Sequence, residues 1–398
     1  MSETENNAYK WIVLAVFTAV AGVSQMLWLN FAPLISQLMV KYDQSESMIS
    51  LLILVFPLLY VLFSIPSGSM IDKRGYKYAV GFGSVLMAIG AVLRIYNAHF
   101  YVLLIAQIIV AIGQPYVVNG ISKLVADWFP KEEHALATGL GTVGMFVGMA
   151  LGLGVTPALV HGNNITPAMI FFAVISVVSA LVFILFTKEQ HKDIHLPGEM
   201  SGLKEFRLLL KEKDLVLLLI LSFLALGYFN GLTTWMEPIL ALNSFNAESA
   251  GLAGAMLILG GIVGSILIPA WSDKVKKRKP FLIGCCVIGL LITYPFLNVT
   301  GYSTLLIIGG VLGFFFLPGY ALLLTMSEEI AGAEKAGAAT SLLMLSGNAG
   351  GTIVIIAMQM VKGNQESWWN AILLMLILLV LALFIGSIVG ESYDRQPH

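Results

Sequence analysis

The sequence predicts an all-α polytopic membrane protein, with twelve transmembrane helices in two pseudo-symmetric halves of six. Three observations carry that expectation. Hydrophobic residues fill 58% of 398 positions and charged residues only 11%, whereas a soluble domain carries about 25% charged residues. Apolar runs long enough to cross a ~30 Å hydrocarbon core, about 20 residues each, recur along the whole chain. With no water in that core, each run has to satisfy its own backbone, so each is expected to be a helix. Finally, landmarks of the first half return in the second at an offset of 201 or 202 residues.

The expected spans are 10–35, 48–70, 76–96, 100–126, 134–158 and 165–187 in the first half. The second half has 214–241, 248–271, 279–297, 302–327, 334–360 and 367–389. One long polar connection, 188–213, separates an N-terminal bundle, 1–187, from a C-terminal one, 214–398, and is expected to hold an amphipathic surface helix around Leu203–Leu210. Residues 1–9 are polar and the first apolar run is long enough to remain a span, so no cleavable leader is expected. Of the 22 Lys and Arg, 18 fall in the loops of one side, three on the other, and Lys123 lies inside a span. By the positive-inside rule both termini are then cytoplasmic, in a plasma (inner) membrane.

The connection between the second and third spans reads Gly68-Ser-Met-Ile-Asp72-Lys-Arg74-Gly75-Tyr-Lys77. Asp72-Lys73 returns as Asp273-Lys274, and Ala137-Thr138-Gly139 returns as Ala339-Thr340-Ser341. The second copy of the loop is degraded: Pro269 stands where a glycine would, and the arginine drifts to Arg278. An apolar helix running into Gly-x-x-x-Asp-x-Arg-Gly-x-Lys resembles the signature loop of the major facilitator superfamily. That resemblance implies a major facilitator fold built from parallel repeats, with the solute bound between halves near the bilayer midplane. Gly68, Asp72, Arg74, Gly75 and Asp273 are the candidate gating residues, because contacts of such loops break when one side of a transporter opens.

Polar residues inside spans are expensive and point to function. Glu237, followed by Pro238, lies toward the outer end of the seventh span; it is a candidate ligand or proton carrier, or else a carboxyl snorkelling to the outer interface. Trp28 shares a helix face with Gln25, three residues before it. An aromatic beside an amide suits a small cation, although tryptophans also simply fill helix packing. At the repeat offset Trp28 corresponds to Phe229, next to Asn230. Gln114 and Asn348 occupy the middles of the fourth and eleventh spans, each as fit for interhelical hydrogen bonding as for ligand contact. The candidate substrate residues are thus Gln25, Trp28, Gln114, Asn230, Trp235, Glu237 and Asn348. Arg94 and Lys123, near span ends, read as interface anchors.

Other chemistries find no support. The net charge of −1 gives no reason to expect nucleic acid, and Cys285-Cys286 offers neither a metal nor a disulfide framework. No histidine lies mid-span, and neither a phosphate-binding lysine loop nor a catalytic carboxylate pair is present. The chain is not expected to be an enzyme or to need a cofactor. Its expected partners are a small-molecule solute, the lipid bilayer and a possible coupling proton or ion, and it is expected to be a monomer.

Drug/proton antiporters of this fold usually have an arginine in the fourth span and a Gly-Pro pair in the fifth; this chain has neither. The first half instead resembles the feline leukaemia virus subgroup C receptor-related (FLVCR-like) family. Trp28, Asp72-Lys-Arg-Gly75, Gly90-Ala-Val-Leu-Arg94, Gln114 and Ala126-Asp-Trp-Phe129 carry the resemblance over 10–160. It implies facilitated transport of choline or ethanolamine, with Trp28 and Gln114 as pocket residues. Asn230 departs from a family aromatic, and Glu237 from a neutral amide. A proton-coupled exporter or anion symporter of the same fold, and a non-transporting membrane receptor, are the alternatives.

Overall fold

The computed structural model describes residues 3–130, 133–189, 207–332, 335–363 and 367–393. It is helical throughout, and among the described residues the one extended pairing is an isolated bridge between His161 and Asn164. Half of the expected surface helix at 203–210, residues 203–206, lies outside the described residues. Eleven stretches are long and apolar enough to cross a membrane. One of them, α3 (Glu46–Leu93, 48 residues), holds two expected spans joined across a kink at Gly75. The twelve expected spans are therefore all present.

The chain divides into two compact units, Met1–Ile194 and His195–His398. The first contains α1 (Glu3–Leu29), α2 (Ile35–Tyr42), α3, α4 (Phe100–Val118), α5 (Gly120–Trp128), α6 (His134–Val155) and α7 (Thr166–Phe186). The second contains α8 (Lys213–Ala241), α9 (Ala247–Val275), α10 (Lys279–Leu297), α11 (Tyr302–Ala331), α12 (Ala336–Lys362) and α13 (Trp369–Ile388).

Two expected spans are broken. The first stops at Leu29, passes through a 3₁₀ turn at Ala32–Leu34 and resumes as α2. Pro33, inside that turn, has no backbone N–H to donate and so removes one bond of the helical ladder at the break. The fourth span divides at Asn119, where Tyr60 donates to the side-chain oxygen (2.7 Å) and the amide donates to Ser67 (2.8 Å). Asn119 ties α4 to α3 by side-chain bonds at the point where the helix is interrupted.

The duplication extends into packing. In the first unit α1 and α6 approach so closely that a Cβ at Gly148 would sit 1.9 Å from the Gly22 carbonyl oxygen. In the second, a Cβ at Gly350 would sit 2.0 Å from the Phe223 carbonyl oxygen, joining α8 to α12. Gly350 lies 202 residues after Gly148, and Phe223 lies 201 after Gly22. Small residues that let backbones meet are the usual device where apolar helices pack without a hydrophobic driving force between them.

Candidate functional site

In the first unit, Gln25 and Trp28 stand on the last turns of α1. Both are buried, Trp28 being 8% exposed. The Trp28 ring stacks on Phe56 of α3, with centroids 6.3 Å apart and planes 26° from parallel. Its indole N–H has no hydrogen-bond partner among the described residues. Buried indole N–H groups usually find one. Gln25 donates a long bond to Ser24 (3.4 Å). Gln114 is buried on α4 just before Pro115. A groove of about 740 Å³ runs between α1, α6 and α7, lined by residues such as Thr18, Val23, Met26, Val147 and Phe171. Its walls are apolar, and Gln25, Trp28 and Gln114 are not among them; it is a lipid-like surface separate from the polar candidates.

In the second unit Asn230 is buried against Gly351 of α12; its amide donates to the Leu226 carbonyl (2.8 Å), and its side-chain oxygen has no partner among the described residues. Glu237 is 4% exposed, within α8, and so is not a carboxylate at an open interface. Asn348 is half-buried and donates to the Met344 carbonyl four residues back (2.9 Å). Trp235 is fully buried, donates to the Ile355 carbonyl (3.2 Å) and packs on Trp368 at 5.1 Å. These contacts are those of a packing residue, and they account for Trp235 without a solute.

At the loop ends, Gly75 has φ +81°, a conformation L side chains rarely adopt, and a Cβ there would run into the Glu189 carboxylate. That carboxylate accepts the Lys77 backbone N–H (3.0 Å), while Tyr76 bonds the Lys188 carbonyl and receives the Trp128 indole N–H (2.6 Å). Asp72 and Arg74 are exposed, with Arg74 lying over the Tyr78 ring at 4.7 Å. Gly68 has open space around it.

The degraded second loop proves to be a built site. Lys276, equivalent to Gly75 at the 201 offset, has φ +58° and ends α9. Arg278 is buried, paired with Asp273 (2.5 Å) and Glu329 (2.9 Å). Burial alone would lower its pKa, but the hydrogen bonds and charges of Glu329 and Asp273 outweigh this and hold the guanidinium above its ordinary value. Glu391 accepts the backbone N–H groups of Arg278 (2.8 Å) and Lys279 (3.2 Å), and Ser392 donates to Glu329 (2.6 Å). The bond from Lys77 to Glu189 and that from Lys279 to Glu391 are separated by 202 residues at both ends. Sequence reading missed Glu189, Glu391 and Glu329, although one glutamate following the last span of each half was the available signal.

Arg94 corrects an expectation. It is not an interface anchor: it is 0% exposed and donates to the Leu27 carbonyl (3.1 Å). Lys123 is held by Asp127 at 2.7 Å, four residues on.

The Major Facilitator Superfamily model matches residues 16–355 and 236–395. The chain belongs to the Major Facilitator Superfamily. It is a transporter of that family, an integral membrane protein and not an enzyme. Choline/ethanolamine transporter flvcr2a of Danio rerio is 24% identical over 367 residues, covering 86% of this chain and 78% of that protein. Choline/ethanolamine transporter FLVCR1 of Felis catus is 26% identical over 367 residues, 85% of this chain and 65% of its own length. An uncharacterized Archaeoglobus fulgidus protein is 35% identical over 173 residues, 44% of this chain and 78% of its own. Among solved structures, a bacterial homologue of the human lysosomal transporter Spinster, inward-facing and unoccupied, superposes with TM-score 0.77 at 15% identity, over 98% of this chain and 99% of that one. The E. coli fucose:proton symporter FucP gives 0.68 at 14% identity, over 96% and 99%.

Proposed function

We propose that this transporter moves a small cationic alcohol or amine of the choline and ethanolamine kind by alternating access. The observation that carries the reading is Trp28, a tryptophan at membrane depth whose ring stacks on Phe56 and whose indole N–H has no partner among the described residues. An aromatic face attracts a quaternary or primary ammonium by about 0.5–2 kcal/mol, more as the site is drier. An indole N–H with no partner among the described residues is a donor that a solute hydroxyl could use when the site opens. Gln25 and Gln114 of the same half supply further polar contacts, and Asn230, Asn348 and Glu237 are the candidate contacts that the second half carries. The names of the relatives at 24–26% identity point to the same solutes. The chain works as a monomer in a plasma (inner) membrane with both termini cytoplasmic, its halves joined by the 188–213 connection, and its loop residues Gly68, Asp72, Arg74, Gly75 and Asp273 take part in gating.

Uptake of labelled choline and ethanolamine into proteoliposomes tests this. Wild-type protein accumulates one or both, and Trp28→Ala weakens apparent affinity about 2- to 30-fold, the range of one cation–π contact. Wild-type protein that transports neither would sink the solute assignment.

A second reading rests on Glu237. A carboxyl 4% exposed within a span is costly to keep charged, and such carboxyls recur in proton relays. Proton coupling predicts uptake driven by an imposed pH gradient and lost in Glu237→Gln. Uptake by Glu237→Gln that equals wild type with and without the gradient assigns Glu237 to neither role.

A further inference from the structure

Helix α1 stops at Leu29, inside an apolar run, and the last carbonyls of a helix have no partner further along their own chain. That of Met26 accepts the Asn30 backbone N–H (3.1 Å). That of Leu27 is taken by side chains from two other helical segments. Arg94 Nη2 donates to it at 3.1 Å and Gln107 Nε2 at 3.4 Å. The same Gln107 nitrogen donates at 2.7 Å to the Leu52 carbonyl of α3.

Arg94 also grips the far side of the break, its guanidinium carbon lying 5.2 Å from the centre of the Phe31 ring. One cation therefore holds the residue before Trp28 and the residue after Asn30. Gln107 fixes the same carbonyl to Leu52, and Phe56, on which Trp28 stacks, lies one helical turn beyond Leu52 on the same face. Arg94 and Gln107 are both 0% exposed. A buried guanidinium is expensive. Part of that expense is offset here, because a cation at a helix C-terminus faces the negative end of the helix dipole. A residue that only anchored a span end in the headgroups would not need to be buried in this way, nor aimed at one carbonyl.

We infer that Arg94 and Gln107 are positioning residues for solute recognition: by clamping the Leu27 carbonyl they set the break in α1 and the orientation of Trp28. The inference rests on Trp28 being a solute contact. Two measurements separate it from that reading. The first is ¹⁹F NMR of protein labelled with 5-fluorotryptophan, the Trp28 resonance being identified by its loss in Trp28→Phe. Arg94→Leu and Gln107→Leu should each shift or broaden the Trp28 resonance and leave those of Trp235 and Trp368 in place. Arg94→Lys, which keeps a charged donor, should restore most of the wild-type spectrum.

The second is choline uptake, in which Arg94→Leu and Gln107→Leu should raise KM about tenfold with little change in kcat, as loss of a binding contact does, and Arg94→Lys should relieve the defect. A Trp28 resonance unmoved in both leucine variants overturns the inference. So does a loss shared by kcat and thermal stability that Arg94→Lys does not relieve. If Arg94→Leu does not fold, Gln107→Leu, which removes one neutral donor, carries the test. If wild-type protein takes up no choline, the solute assignment fails and the fluorine spectra alone decide the positioning role.

Discussion

Arg278 and Glu329 form a pair with both side chains withdrawn from water, 4% and 5% exposed, at 2.9 Å. Removing one partner of such a pair leaves a buried charge without compensation, a loss of about 3–5 kcal/mol. Arg278→Ala should therefore lower thermal stability severely. Adding Glu329→Gln should recover part of the loss, because contacting residues are not additive; a double variant no more stable than Arg278→Ala would count against the pair. Residue types of this kind divide by how visible their surroundings are. Trp28, Gln114 and Glu237 stood out because polarity deep in an apolar run has few explanations. Arg94 did not, since an arginine near the end of a run also fits an interface anchor. Its burial follows from the break in α1, which exposes the Leu27 carbonyl to it.

At the scale of elements, both halves use one carboxylate to fasten a helix start. Glu189 receives the Lys77 N–H and Glu391 the Lys279 N–H. An acceptor at helix N-terminal donors contributes about 0.5–2 kcal/mol, so Glu189→Ala and Glu391→Ala should each speed amide hydrogen exchange in the first turn of the helix that it caps. Exchange there at the wild-type rate would show the contact to be incidental. The kink of α3 makes a sharper demand. Gly75→Ala adds a Cβ at φ +81° and against the Glu189 carboxylate. Backbone strain of this kind costs about 1–3 kcal/mol. Gly75→Ala/Glu189→Ala should relieve the clash and leave the backbone part, read as a partial recovery of melting temperature. Repeat and kink were both foreshadowed, because spacing survives in sequence. The breaks at Asn30 and Asn119 were not foreseen: each lies within a run apolar enough to be read as one span, and only partners from neighbouring helices make an interrupted ladder tolerable.

At the scale of the molecule, Asp72 is exposed on the signature loop and is not needed to fill a core. Asp72→Asn should fold normally, with an unchanged melting temperature, and cut transport sharply; unaltered uptake would remove the loop from the transport cycle. Orientation has its own check. Tags at both ends should be labelled only after the cytoplasmic side is opened, as the distribution of Lys and Arg requires.

Composition by itself determined the class of this protein. A chain with 58% hydrophobic and 11% charged residues cannot solvate its surface in water. Length and periodic landmarks then determined the number of spans and the duplication, because crossing a bilayer fixes how long each helix has to be. Tertiary structure alone decided which polar groups are satisfied by neighbouring helices and which have no partner among the described residues. Trp235 and Trp28 are both tryptophans at membrane depth, but one finds the Ile355 carbonyl and the other finds no partner among the described residues. That difference depends on which backbone carbonyls neighbouring helices present at hydrogen-bond distance, and it is created only when the helices pack.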